Sequence, residues 1–159
     1  MRRLFLFALV ANLFLSQISH AESANLLITA DSNAVSGYVA RINLGKAGQV
    51  YEALQRAEAY FQTKQQLDTQ TSVAVPPIAF VIYGPDVGMF FEENYSDFKP
   101  IVDLAARLSA LKVIEVKVCQ VSYEKEGLDT STLLPFVTTV PFGPTEVSRL
   151  LDEQQYDLF

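Results

Sequence analysis

The sequence predicts one α/β domain with three layers, in which a mostly parallel sheet of four or five strands carries helices on both faces. Short apolar runs rich in β-branched residues recur along the chain, at residues 38–44, 78–83 and 113–119. The segments between them repeat their apolar residues every three or four positions, which is the pattern of helices packed on a sheet. Strands that alternate with helices form βαβ units, and such units place the strands in parallel.

Residues 38–44 (YVARINL) are the first predicted core strand. Alternation predicts one face made of Tyr38, Ala40, Ile42 and Leu44. A glycine-containing loop follows, and then a helix whose buried stripe is predicted from four apolar residues, Val50, Leu54, Ala57 and Phe61.

Residues 78–83 (IAFVIY) predict a strand covered on both faces and placed beside the first strand, because the run is continuously apolar between Pro77 and Gly84. A short helical turn carrying Met89, Phe90 and Phe91 is expected after it. We expect one domain to leave this apolar group partly unburied, which favours self-association.

A helix over residues 100–111, with Pro100 in its first turn, leads into the strand at residues 113–119. This strand is predicted to be central, and it ends on Cys119, the only cysteine of the chain. In open α/β sheets the carboxyl ends of the strands are where ligands and chemistry collect. Cys119 is therefore the candidate site residue.

The last part of the chain predicts four short features. Asp129 is expected to cap a turn, residues 137–142 to form a fourth strand, residues 145–155 a final helix, and residues 156–159 an edge strand.

Residues 1–21 are typical of a secretory signal peptide, with Arg2 and Arg3 before an apolar middle and a cut expected after Ala21. We therefore expect a periplasmic or secreted protein. Residues 22–37 are expected to be an N-terminal arm or edge strand, and residues 38–159 the single domain.

Composition excludes several classes of function. The formal net charge is −6 and becomes more negative by two without Arg2 and Arg3, so we expect no nucleic-acid partner. No second apolar segment is long enough to span a membrane after cleavage of the signal peptide. The only histidine is His20, inside the signal peptide, which argues against imidazole-dependent hydrolases and His-ligated metal sites. No cofactor and no metal are expected.

Glycines at the predicted strand ends raise one further alternative. Gly45 and Gly48 precede a helix, yet neither the Walker pattern nor the three-glycine dinucleotide pattern is present, so a tight turn is favoured. A small anion or nucleotide site near Gly45 and Gly84 is the weaker interpretation.

Three stretches in order carry a resemblance to a known family: VIYGPDV at the second strand, VIEVKVCQVSYEKEGL around Cys119, and TVPFGPTEVSRLLDEQQYDLF at the end. Together they resemble the DsrE/DsrF-like family over residues 38–159. The chain departs from the family pattern at Gln154 and Gln155, where a glycine is expected.

The resemblance implies a flavodoxin-like sheet and, as in the better understood members, a sulfur-relay role in which one cysteine carries a persulfide within an oligomer. The residue that matches is Cys119. The resemblance further implies a homo-oligomer, a trimer or a multiple of one, and a sulfur donor or acceptor protein as partner.

Two interpretations of Cys119 stay open at the level of sequence. As a carrier, its thiolate would be stabilised by N–H groups at the strand end, with Lys117 or Lys125 as neighbouring cations. As a structural residue, Cys119 would pack as a small apolar side chain in a non-catalytic periplasmic binding or assembly module of the same fold. In either case Tyr123, Glu124 and Glu126 are expected in a solvated loop.

Overall fold

The computed structural model describes residues 35–67 and 75–159. The predicted signal peptide, and the predicted arm up to residue 34, lie outside the described residues.

Five strands alternate with four helices along the described chain. The strands are β1 (Gly37–Ile42), β2 (Ile78–Ile82), β3 (Ile114–Cys119), β4 (Val137–Val140) and β5 (Tyr156–Leu158). The helices are α1 (Ala47–Leu67), α2 (Tyr95–Ala110), α3 (Gln120–Lys125) and α4 (Gly143–Asp152). Three 3₁₀ segments lie between them, at Gly84–Phe90, Glu92–Asn94 and Thr130–Thr132.

All neighbouring strands of the sheet pair in parallel, in the order β4-β3-β2-β1-β5. The three-layer α/β, flavodoxin-like fold predicted from the sequence is confirmed. β3 is an interior strand between β2 and β4, and β5 is an edge strand beside β1, as predicted.

The connections explain which face each helix covers. From β1 to β4 every crossover moves one strand in the same direction, whereas the crossover from β4 to β5 returns across the whole sheet. Because parallel crossovers are right-handed, the first three helices belong on one face and α4 on the other. The core agrees: Tyr123 of α3 belongs to the same core cluster as the buried residues of α1 and α2, whereas Val147 and Leu150 of α4 pack on Val39, Ala79 and Val81.

The helix stripe predicted for α1 is confirmed, since Val50, Leu54 and Ala57 are buried and Phe61 packs against the same core. Helix α2 differs from its prediction, because it begins at Tyr95 instead of Pro100. Its backbone is kinked at Phe98, with φ −114° and ψ 17°, two residues before the proline. The regular part of α2 therefore starts where the sequence places the helix, and one extra turn precedes it.

Three expectations about exposure are wrong. Leu44 does not join the buried face of β1, because the strand ends at Ile42 and Leu44 is 44% exposed. Met89, Phe90 and Phe91 are all buried in the chain's own core, where the Phe90 ring packs on Phe136. They therefore give no reason for self-association.

Tyr123 is the third expectation to fail. Its neighbours Glu124 and Glu126 are exposed as expected, but the segment is helix α3 and its end, not a loop. Tyr123 is buried, and its ring lies 5.8 Å from that of Phe91, centroid to centroid.

The carboxyl-terminal features follow their predictions with shifted bounds. Asp129 caps the 3₁₀ turn that follows it, accepting a hydrogen bond from Ser131 N–H at 2.9 Å. Strand β4 is shorter than predicted, and α4 starts two residues earlier and ends three residues earlier than predicted. The family resemblance leads us to expect a glycine at Gln154 or Gln155. Gln155 has a left-handed backbone, with φ 55°.

Candidate functional site at the carboxyl edge of the sheet

The ends of β3 and β4 form the point where neighbouring strands send their connections to opposite faces. The chain leaves β3 into α3 on the first face and leaves β4 into α4 on the second face. In open α/β sheets the crevice at such a switch point is the usual ligand-binding position. Cys119 is the last residue of β3 and pairs in register with Val140, the last residue of β4. The predicted candidate therefore lies at this switch point.

Cys119 is buried, with 1% of its surface exposed. Alternation along β3 places it on the same face as Glu115 and Lys117, which is the face that α4 covers. It also occupies the N-cap position of α3, but its side chain makes no capping hydrogen bond there. Helix α3 has only six residues, so the stabilisation of a thiolate that was expected from helix N–H groups is small.

Tyr83 and Gly143 pack together near the end of β3, since Tyr83 follows Ile82, which pairs in register with Val118. Tyr83 follows β2 and packs against the α4 side of the core. A Cβ at Gly143 would lie 3.0 Å from Cβ and Cδ1 of Tyr83, so a side chain there would require Tyr83 or the first turn of α4 to shift by a few tenths of an ångström. The turn into α4 thus sits directly over the strand ends.

Helix α3 is tied to the end of β2. Gly84 N–H donates to Oγ of Ser122 at 2.9 Å, and this bond joins the loop after β2 to α3. Burial raises the pKa of Tyr123, with smaller contributions from the charges of Glu124 and Cys119. Tyr123 is accordingly a neutral core residue at ordinary pH.

Lys117, one of the two candidate cations, is engaged with α4. Its Nζ lies 3.5 Å from Oε1 of Glu146 and 3.7 Å from Oε2 of Glu115. Arg149 donates two hydrogen bonds of 2.8 Å to the Glu146 carboxylate. These bonds, and to a lesser degree the charge of Lys117, hold the pKa of Glu146 below its ordinary value. Lys125, the other candidate cation, is exposed at the end of α3.

Asp86 changes the interpretation of the glycine loop. It is 1% exposed, and its Oδ2 accepts the N–H of Gly45 at 2.9 Å. The Gly45 N–H that a bound anion would need is therefore already donated to the carboxylate of Asp86. The Gly84 N–H is likewise donated to the hydroxyl of Ser122. This arrangement argues against the anion or nucleotide site.

Other chemistry is limited in the described part of the chain. Among residues 35–67 and 75–159, no group of three His, Cys, Asp or Glu side chains is placed to hold a metal ion. No helix in those ranges is long and apolar enough to cross a membrane. Surface clefts of about 320 and 310 Å³ lie between α1 and α2 and near the start of β3, and Cys119 lines neither.

An apolar row follows the same edge of the sheet. Leu44 after β1, Val121 in the first turn of α3 and Phe142 after β4 are 44%, 51% and 48% exposed. Tyr83, which follows β2 and is half-buried, lies between Leu44 and Val121 in strand order. We call Leu44, Tyr83, Val121 and Phe142 the apolar row. Each of the four residues follows the carboxyl end of one of four adjacent strands, β1 to β4. Val121 belongs to α3 on the first face, whereas Tyr83 packs on the side that α4 covers.

The sequence identified Cys119 but not the residues around it. Asp86 lies in the segment GPDV, just after the second predicted strand, and Gly143 and Glu146 lie in VPFGPTE, around the end of the fourth. Their position near a strand end was the one sequence feature that could have identified them. Their partners, Gly45, Tyr83 and Lys117, are 41, 60 and 29 positions away in the sequence, and no local sequence pattern shows such pairs.

Comparison with known proteins informs the fold. A scan against models of protein families finds no match, and no curated protein matches the sequence. Among solved structures, the chain is similar to a protein of unknown function, MTH1491, from Methanobacterium thermoautotrophicum, with a TM-score of 0.56 and 16% sequence identity. The likeness covers 76% of this chain and 95% of that one. At this identity it shows a common α/β fold.

Proposed function

We propose that this chain is an exported, DsrE-like binding or assembly module in which Cys119 is a structural residue. The burial of Cys119, at 1% exposure, carries this proposal, because alkylation, persulfide loading and sulfur transfer all require access to the sulfur. Lys117, one of the two cations considered as neighbours of a thiolate, is paired with Glu146.

The apolar row supports the assembly function. It places exposed apolar side chains over consecutive strand ends, next to the buried thiol, whereas solvent-exposed apolar residues of a monomer are usually scattered. We propose that this row contacts a second copy of the chain in a homo-oligomer, a trimer or a multiple of one.

The sulfur carrier is the second candidate function, and the position of Cys119 favours it. A thiol that only needs to pack has no reason to lie at the switch point, which is where this class of fold binds ligands. In this function Cys119 would hold a persulfide and exchange it with a donor or acceptor protein.

Alkylation of Cys119 separates the two functions. For the structural residue, we expect the native thiol to react with iodoacetamide far more slowly than the thiol of the unfolded chain at the same pH. Cys119→Ser should lower the free energy of unfolding by about 1–3 kcal/mol, because it buries a hydroxyl without a partner.

The carrier predicts the opposite pair of results. Its native thiol would react at least as fast as the unfolded one, and Cys119→Ser would leave stability unchanged while abolishing persulfide loading. Cys119→Ala is the matched control, since it removes the sulfur without introducing a hydroxyl. Fast native labelling together with an unaffected serine variant would overturn the structural proposal.

A further inference from the structure

One helix covers the second face of the sheet in the described part of the chain. Helix α4 fully buries two side chains there, Val147 and Leu150, against Val39, Ala79 and Val81. Three partly buried side chains pack against the same cluster: Tyr83, Leu151 and Tyr156. The opposite face packs against α1, α2 and α3 through a much larger cluster. Since apolar burial sets most of the free energy that holds an element in place, α4 is the more weakly held layer.

A polar contact supplements this small apolar contact. Lys117 on β3 and Glu146 on α4 are paired at 3.5 Å, and their side chains are only 19% and 11% exposed. Breaking such a partly buried pair by removing one partner leaves the other charge poorly solvated. The pair therefore contributes more to holding α4 closed than a surface pair would.

Cys119 lies on the face that α4 covers, two residues beyond Lys117. Val140 pairs with it in register, and Tyr83, on which Gly143 of α4 packs, follows Ile82, the register partner of Val118. Movement of α4 away from the sheet would uncover these strand ends together with the thiol.

Short connections of residues 141–142 and 153–155 join α4 to β4 and β5. Phe142, in the first, is 48% exposed, whereas the carbonyl of Gln155, in the second, accepts a hydrogen bond from Ser36 N–H at 3.2 Å. Beyond Gln155, β5 stays paired with β1, and the Phe159 ring packs on the other face against Tyr38 and Tyr60.

We propose that α4 is a lid over Cys119, held closed by the Lys117–Glu146 pair, and that it opens as a unit without unfolding of the rest of the domain. The opening sets how often the thiol meets solvent. This inference depends on the burial of Cys119 and on neither of the two functions assigned to it.

The test measures the rate of iodoacetamide labelling of Cys119 in the native protein, at urea concentrations below the unfolding transition. In Glu146→Gln we expect labelling about tenfold faster than in the wild type, with a rate that depends little on urea, because the opening exposes little surface. Lys117→Met should also accelerate labelling, because it removes the same pair between β3 and α4, and it serves as the second variant if Glu146→Gln fails to fold.

Ile101→Val is the matched control, because it weakens the opposite core without touching α4. If labelling proceeds through the lid, this variant labels at the wild-type rate although its unfolding midpoint in urea is lower. Equal labelling of Glu146→Gln and wild type, or acceleration in every variant in proportion to its lost stability, would overturn the lid. If the lid is overturned but the wild type labels slowly, the proposal that Cys119 is a structural residue is unaffected. Fast labelling of the wild type would contradict both the lid and the structural role of Cys119.

Discussion

At the scale of single residues, Lys112 shows how the chain accepts local strain to end a helix. Val113 N–H donates to the carbonyl of Leu108, and Lys112 N–H donates to that of Ser109, which is the Schellman pattern after α2. The pattern needs a left-handed residue at Lys112, whose φ is 60°. Val113 and Leu108, the apolar pair that usually accompanies it, are both buried in the core.

Glycine at this position should therefore stabilise the protein. We expect Lys112→Gly to raise the free energy of unfolding by about 1 kcal/mol, because glycine adopts a left-handed backbone without the steric cost of a Cβ. Lys112→Ala is the control, since it removes the charge and the long side chain but keeps the Cβ, and it should give no gain. Urea unfolding of the three proteins measures the effect, and an equal gain in both variants would assign it to the lost charge.

At the scale of elements, the sequence predicted best what depends on neighbouring residues. The β-branched run that ends at Cys119 and the apolar period of α1 are local patterns, and both elements form as predicted. Phe90 and Phe91 are different, because their burial depends on a distant segment: the Phe90 carbonyl accepts from Leu134 N–H, and Phe91 bridges to Leu133. Sequence periodicity cannot show such a contact, so the group was expected to be partly exposed.

The attachment of α4 predicts a specific dependence of stability on pH. Hydrogen bonds from Arg149 and the charge of Lys117 lower the pKa of Glu146 in the folded protein below its ordinary 4.5. The carboxylate is therefore favoured by folding, and its contribution is present above pH 4.5 and is lost as the pH falls through the lowered value. Glu115, Glu153 and Tyr156 also lie in this charged neighbourhood.

We expect Glu146→Gln to lose less stability than the wild type when urea unfolding is compared between neutral and acidic pH, because glutamine does not titrate. Glu52→Gln, at an exposed position on α1, is the control and should follow the wild type. A Glu146→Gln variant whose acid sensitivity equals that of the wild type would show that the pairing contributes nothing at this position.

At the scale of the whole molecule, the position of the candidate site follows from topology. The alternation of predicted strands with predicted helices indicated a parallel sheet. The face that α4 covers depends on the pairing of β5 with β1, on the side of the sheet farthest from β4. That pairing creates the switch point between β3 and β4, and it places α4 on the face of the sheet to which Cys119 belongs. The residues at the strand ends carry no sequence signal for the pairing of β5 with β1, so the sequence could not show whether the thiol of Cys119 is exposed.

Assembly through the apolar row is the prediction that belongs to the whole molecule. The protein should have the mass of a trimer, or of a multiple of one, in light scattering at micromolar concentration. The double variant Val121→Ser with Phe142→Ser should become monomeric while keeping its circular dichroism spectrum, because it removes exposed apolar surface and touches no buried side chain.

Leu111→Ser is the matched control for that variant. Leu111 is 54% exposed and is as apolar as the residues of the apolar row. It lies at the end of α2, near the amino end of β3, whereas the apolar row lies at the carboxyl ends of the strands. If the row is the contact surface, the control keeps the oligomer that the double variant loses. Dissociation by the control as well would assign association to general surface hydrophobicity, and a monomeric wild type would remove the assembly function. An oligomer that survives the double variant would place the contact elsewhere, on one of the two sheet edges, where β4 and β5 each leave one side unpaired within the described sheet.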